Sequence, residues 1–163
     1  MDTEEQVGGI AGAVVGLQTE LVAFRRHLHA HPELSWREHE TTRLLRDRLI
    51  AAGLEPRVAD GGTGLTCDIG TDGPIVALRG DIDALPIADA KQVPYRSTVD
   101  GVCHACGHDL HATATLGAGL ALAQVLGRDG TTGRVRLILQ PAEEAIPSGA
   151  PVLIAQGAME GVA

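Results

Sequence analysis

A chain of 163 residues with 44% apolar and 21% charged residues can bury one hydrophobic core of ordinary size, and its composition is not that of a disordered segment. A formal charge of -8, with no Lys/Arg cluster interleaved with aromatics, argues against nucleic acid and against anionic membrane surfaces as partners. Aromatic residues are only 2%, so the core falls to Leu, Val, Ile and Ala.

The chain begins with the acidic stretch Met1-Asp2-Thr3-Glu4-Glu5, unlike the basic start of a secretory leader. Val7 to Leu17 is apolar but Gly-rich and too short for a bilayer span. A soluble, cytoplasmic location is expected. In that compartment Cys67, Cys103 and Cys106 are thiols or metal ligands rather than a disulfide framework.

Gly8 to Gly16 reads as a loose lead-in. Leu17, Leu21, Phe24 and Leu28 then recur at helical spacing, and Pro32 ends that helix. Ser35 and Glu38 have the spacing of a capping box, which predicts a second helix from Trp36. Its stripe of Thr41, Leu44, Leu45, Arg48, Leu49 and Ala52 closes at Gly53. Gly61-Gly62-Thr63-Gly64 is a turn before a strand, not a phosphate loop before a helix. Leu65 to Ile69, Ile75 to Leu78 and Val135 to Leu139 are short apolar runs that predict strands, and Cys67 within the first is a small buried hydrophobe. Leu110 to Leu126 is long enough for a helix, and its Ala and Gly residues suit close packing on a sheet. Pro151 and Gly157 bracket a last short helix. This mixture predicts an α/β fold: a mostly parallel mixed sheet flanked by helices, with residues 1–163 as one unit. In such folds sites form beyond the carboxyl ends of strands, which directs attention to the residues after Leu78 and after Leu139.

The densest constellation is Cys103-His104-Ala105-Cys106-Gly107-His108-Asp109-Leu110-His111, just before the small-residue helix. A helix N-terminus favours a thiolate, and Gly107 lets the backbone turn Cys106 and His108 to one point. A structural zinc knuckle would need a second ligand pair, which is not visible. A redox Cys-x-x-Cys leaves the histidines without a task. Gln140-Pro141-Ala142-Glu143-Glu144 follows a strand. An extended backbone there would send the two glutamates to opposite sides, one toward a metal and one toward substrate. Taken alone, the pair is equally an acidic turn. Arg79-Gly80-Asp81-Ile82-Asp83 puts Arg79, Asp81 and Asp83 on one face if the strand continues, where a carboxylate could ligate metal or orient a ligand imidazole; taken alone, the motif is better read as a local Arg–Asp ion pair. His27, His29 and His31 alternate, so one helix cannot present all three to one ion, and they read as a helix end packing near the site.

Four segments together, RRHLHAHPELS (25–35), ALRGDIDALPI (77–87), GVCHACGHDLHAT (101–113) and LILQPAEE (137–144), resemble the amidohydrolase branch of the aminoacylase and carboxypeptidase superfamily of metallopeptidases. That branch includes hippurate hydrolases, N-acyl-L-amino acid amidohydrolases and indole-acetyl-amino-acid hydrolases. The resemblance implies a zinc-peptidase-like catalytic domain and hydrolysis of N-acyl amino acids or small peptides. It implies two divalent cations (manganese, zinc, cobalt or nickel), with Cys106, His108 and Glu144 as metal ligands. It also implies Glu143 as general base and Asp81 as an orienting acid, while Arg79 stands where other branches keep a metal-binding histidine. It further implies that these residues are the N-terminal portion of the catalytic domain. Two more histidine ligands, a lid or dimerisation domain and the last part of the domain would lie downstream, so residues 1–163 alone would turn over little substrate. The longer protein would be a homo-oligomer in some members. A non-catalytic metal-binding domain and a hydrolase with Cys106 as nucleophile remain the rival readings.

Overall fold

The computed structural model describes residues 3–126 and 133–163, with side chains from residue 8 onward; Met1 and Asp2 of the acidic start lie outside the described residues. In chain order the elements are α1 (Thr3–Ala30), α2 (His39–Ala51), β1 (Arg57–Val58), β2 (Leu65–Ile69), β3 (Ile75–Asp81), α3 (His108–Val125), β4 (Arg134–Gln140) and α4 (Gly149–Ala155). The strands form one sheet in the order β1-β2-β4-β3. Among the described residues only strands β3 and β4 pair in parallel, while β1–β2 and β2–β4 are antiparallel. The α/β class and the mixed sheet agree with expectation, but the parallel share is one pair of three, smaller than predicted. The short link from β1 to β2 forces an antiparallel pair, the β3–α3–β4 crossover is long enough for a parallel one, and β4 runs antiparallel to β2 because the chain reverses between β2 and β3.

Period-two alternation divides the sheet between two cores. Leu65, Cys67 and Ile69 of β2 join Leu137 and Leu139 of β4 against α1, α2 and α3. Ile138 of β4 faces the other way, onto Leu153 of α4, Ala59 and Ala158. On α3 small residues allow the close approach. A side chain at Gly119 would collide with Leu137, one at Gly117 with Leu21, and one at Gly80 of β3 with Thr115 and the His111 carbonyl.

The lead-in expected at Gly8 to Gly16 is instead helical, the first half of α1. Ile10 and Ala13 continue the spacing of Leu17, Leu21 and Phe24 and pack on the main core. That burial outweighs the helix penalty of four glycines, about 1 kcal/mol each relative to alanine.

The predicted capping box is not one. α2 begins at His39, three residues later than expected, and Glu38 makes no side-chain cap. Glu33 takes that role, accepting the amides of Glu40 at 3.1 Å and Thr41 at 2.7 Å. Ser35 and Glu38 are turned inward by Trp36, which adopts a left-handed φ of 66°. No helix among the described residues is long and apolar enough to cross a membrane.

Candidate metal centre

Three chain segments meet at one end of the sheet: the residues after β3, the residues after β4 and the first turn of α3. Parallel pairing sets Asp81 opposite Gln140, so both strands end at the same level. Beyond it, Ile82 donates its amide to the Gln140 carbonyl at 3.1 Å, and Leu85 and Cys103 exchange a pair of backbone bonds at 3.0 and 3.1 Å. The second contact pulls the cysteine-histidine segment over the strand end. Gly107 then turns into α3 with a φ of 85°, a conformation that favours glycine.

Cys106, His108 and Glu144 each bring a ligand atom to within 4.8 Å of the others. Ligands around one ion, at about 2.0–2.3 Å from it, stand roughly 3–4 Å apart, so this spacing is close to a coordination shell. His108 explains how. Its Nδ1 donates to the Asp83 carbonyl at 3.0 Å and to Asp83 Oδ1 at 3.1 Å. The proton on Nδ1 leaves the Nε2 lone pair free, and Nε2 looks at Glu143 Oε2 at 3.8 Å, Glu144 Oε1 at 3.9 Å and Asp81 Oδ2 at 4.0 Å. Those distances are too long for hydrogen bonds and suit a cation between the groups. A carboxylate on one imidazole nitrogen with the other left for a metal is the usual support for a histidine ligand.

The electrostatics fit the same occupant. The Cys106 thiol is pushed above its ordinary range, first by its hydrogen bond to Glu144 and then by burial and the charges of Glu144, Glu143 and Asp81. The helix N-terminus was expected to favour a thiolate, but the carboxylates outweigh it. A cysteine so placed is a poor nucleophile by itself, and only a cation would reverse the balance. The His108 imidazole is raised, chiefly by Asp83. Burial works to raise the Asp83 carboxyl. Hydrogen bonds from His108, the Glu144 amide and Ser35 outweigh it and hold that carboxyl at about 2.

Each remaining residue singled out in the sequence has a definite position. Arg79 pairs with Asp81 and donates to Gln140 Oε1 at 2.7 Å, so the local ion pair does form. Asp81 also contacts His111 Nδ1 at 3.0 Å, and it is Asp83 rather than Asp81 that holds His108 Nδ1. Glu143 and Glu144 do not lie on an extended strand. β4 ends at Gln140, and Ala142 bends the chain with a φ of 49°. A left-handed alanine costs on the order of 1–2 kcal/mol, so its neighbours must hold it there. Of the alternating histidines, His27 and His31 are exposed and His29 is buried. His29 Nδ1 meets Asp109 Oδ2 at 2.7 Å, and Arg25 Nε meets the same oxygen at 2.8 Å. This brace secures the residue next to His108. His104 is also buried, and burial lowers its pKa to about 4. Cys67 is 1% exposed, as expected, and burial pushes its thiol up to about 11.

Sequence reasoning missed the contacts of Ser35 and Glu38, and it allowed a carboxylate after β3 to orient an imidazole without choosing Asp83 over Asp81. Ser35 Oγ donates to Asp83 Oδ2 at 2.7 Å, and Glu38 Oε1 accepts the Ala142 amide at 2.7 Å. No local signal marked Ser35 and Glu38 as free for other work, because Glu33, which caps α2 instead, is not a usual capping residue. A separate groove of about 680 Å³ between α1 and α3, lined by Val14, Leu21, Val22, Tyr95 and Leu110 among others, contains none of the candidate ligands.

The chain is similar to known proteins over most of its own length. A Rhodococcus jostii protein with a provisional glutamate–cysteine ligase name is 52% identical over 146 residues, 89% of this chain but only 18% of that protein. So small a share ties the ligase name to nothing in these residues. The N-acetyl-L-cysteine deacetylase of Bacillus subtilis is 44% identical over 148 residues, 90% of this chain and 35% of the relative. A Bacillus subtilis crystal structure described as a dinuclear metal binding peptidase from the M20 family superposes with a TM-score of 0.83 at 42% identity, over 91% of this chain and 42% of that one. The chain thus spans less than half the length of each. The model of peptidase family M20/M25/M40 matches residues 77–163, from β3 through both glutamates, and the chain belongs to that family.

Proposed function

We propose that the chain is the N-terminal portion of the catalytic domain of a metal-dependent hydrolase that cleaves the amide bond of N-acyl amino acids or small peptides. The observation that carries this reading is the approach of Cys106, His108 and Glu144 to within 4.8 Å of one another, beside a second glutamate. The named relatives support the substrate class: one is a deacetylase of an N-acetyl amino acid and one a dinuclear metal binding peptidase.

In this reading Cys106, His108 and Glu144 hold metal. Divalent cations bound there would supply Lewis acidity, lowering the pKa of water and polarising the scissile carbonyl. Glu143 takes the proton of the attacking water and returns it to the leaving amine. Its side chain is 41% exposed, so substrate can reach it. Asp83 keeps the His108 proton on Nδ1, and Asp81 orients His111 and Arg79 at the rim. A sulfur, a nitrogen and an oxygen donor suit zinc, cobalt, nickel or manganese. Three ligands do not fill two coordination shells of four or more. The remaining donors would come from sequence downstream of residue 163, and the 35% and 42% coverage of the two hydrolase relatives supports that. Residues 1–163 alone should then bind metal weakly and turn over little. A reducing compartment such as the cytoplasm suits three free thiols.

The test is hydrolysis of N-acetyl and N-benzoyl amino acids by these residues and by a chain extended with the downstream natural sequence, each with and without chelator. Activity of the extended chain should vanish with chelator and return with Mn²⁺, Zn²⁺, Co²⁺ or Ni²⁺. Hydrolysis that survives chelation but is lost to thiol alkylation would sink the reading.

A further inference from the structure

The bend that carries Glu143 and Glu144 is held from outside its own strand. Ala142 is fully buried and left-handed, directly before the two glutamates. Its carbonyl accepts the Gly149 amide at 3.1 Å, and its own amide donates to Glu38 Oε1 at 2.7 Å, across 104 residues of sequence. Glu38 is 0% exposed, and among the described residues its Oε2 has no hydrogen-bond partner. A buried carboxyl with an unpaired oxygen is unfavourable to keep, and a residue needed only to fill space would be apolar. Burial raises the Glu38 carboxyl above its ordinary range, which favours the neutral acid that glutamine resembles.

Resting on the reading of Glu143 and Glu144 given above, we propose that Glu38 is a positioning residue. By accepting the Ala142 amide it fixes the left-handed bend that aims both glutamates. Its neighbours act on the same region. Ser35 Oγ donates to Asp83 Oδ2 at 2.7 Å, and Trp36 Nε1 donates to the Pro147 carbonyl at 3.1 Å. Residues 35–38 therefore touch the chain after β3 through Asp83 and the chain after β4 through Ala142 and Pro147. The segment fixes the separation between the two walls of the site.

The test uses Glu38→Met, which keeps the volume without the oxygen acceptor, and Glu38→Gln, which keeps the acceptor. Leu45→Ala, at a fully buried position of α2, is the control for lost stability. The readouts are Mn²⁺ affinity, hydrogen exchange at the Ala142 amide, and kcat and KM in the extended chain. In Glu38→Met, Ala142 protection and Mn²⁺ affinity should each fall at least tenfold, and kcat should fall tenfold with KM within twofold. Glu38→Gln should restore all of these to within threefold of the parent, and Leu45→Ala should leave them in place while lowering the melting temperature. Unchanged exchange and affinity in Glu38→Met, or equal damage in the Met and Gln variants, would overturn the proposal. If Glu38→Met does not fold, the Gln variant decides: parental affinity and Ala142 protection support the brace, and a tenfold loss overturns it. A parent that neither binds Mn²⁺ nor hydrolyses amides would defeat the functional reading. Ala142 exchange alone then decides the brace: lost in Met and kept in Gln supports it, unchanged in Met overturns it.

Discussion

Replacing Asp83 with asparagine removes one charge and almost no volume, yet no orientation of the amide satisfies its surroundings. Oδ2 accepts Ser35 Oγ at 2.7 Å and the Glu144 amide at 3.0 Å, while Oδ1 accepts His108 Nδ1 at 3.1 Å. If the asparagine oxygen stays toward Ser35 and Glu144, its NH2 group faces the imidazole N–H. The Asp83 backbone carbonyl, 3.0 Å from Nδ1, is then the one acceptor left for that proton, and the clash with the NH2 group weakens the preference for Nδ1 over Nε2, where a metal should bind. If the amide flips, the Glu144 N–H loses a charged acceptor, worth about 1.5–3 kcal/mol, and the segment bearing a candidate ligand loosens. Loss of a partner that supports a metal-binding histidine lowers metal affinity roughly 10- to 100-fold, or about 1.4–2.7 kcal/mol. Both routes therefore predict at least a tenfold weaker affinity for Mn²⁺ or Zn²⁺ in Asp83→Asn. Calorimetric titration measures the affinity, and nitrogen NMR of the imidazole reports which nitrogen carries the proton. Because Asp83 is held at about 2, the parent should behave uniformly from pH 5 upward with respect to this group. Parental affinity together with an unmoved proton would refute the argument that Asp83 sets the His108 tautomer.

Other perturbations test the frame. Gly80→Ala sets a methyl against Thr115 and the His111 carbonyl. It should push α3 off β3, destabilise by about 1–3 kcal/mol, and lower the melting temperature by roughly 2–4 °C per kcal/mol. Arg136, 5% exposed, pairs with Asp68 and donates to the carbonyls of Gly157, Ala158 and Glu160 at 3.1, 3.2 and 2.9 Å. Arg136→Met should cost about 1–3 kcal/mol in urea denaturation, because those carbonyls lose their donor while Asp68 keeps the more distant Arg134 and Arg57. The pH dependence follows from the same pair. Arg136 holds the Asp68 carboxyl below its ordinary range. The stability it contributes is complete above the unfolded carboxylate pKa and is lost as pH falls through the folded value. The parent should therefore lose stability on acidification below about pH 4 more steeply than the Met variant. Cys106→Ser should weaken Zn²⁺ more than Mn²⁺, since a hydroxyl replaces a soft thiolate, and equal weakening would argue against sulfur as a ligand.

What the sequence made legible was whatever one local pattern decides. The runs Leu65 to Ile69 and Val135 to Leu139 are buried strands because nothing but a sheet interior hides such short apolar stretches, and β2 and β4 lie there. Cys106 and His108 stood out because thiols and imidazoles have few other uses at that density, whereas Glu144 came only with the resemblance, and folding brings it within 4.8 Å of both. The errors came where two local patterns were available and long-range contact chose between them. Glycines at 8, 9, 12 and 16 lower helix propensity, but Ile10 and Ala13 find the core only if the helix runs through them. Strand direction depends on how far each connection reaches, which apolar runs do not encode. The capping box is the sharpest case. Ser35 and Glu38 match that pattern and Glu33 does not, yet Glu33 accepts the amides of Glu40 and Thr41. Spacing alone cannot choose between the two. What ranks them is Ala142, more than a hundred residues away, whose amide in a left-handed bend has no acceptor unless a buried carboxyl provides one. Glu33 can cap α2 from near the surface, but only a residue turned inward can reach Ala142. The helix therefore starts late, Trp36 takes an unfavourable φ, and two residues that look like local structure belong to the site.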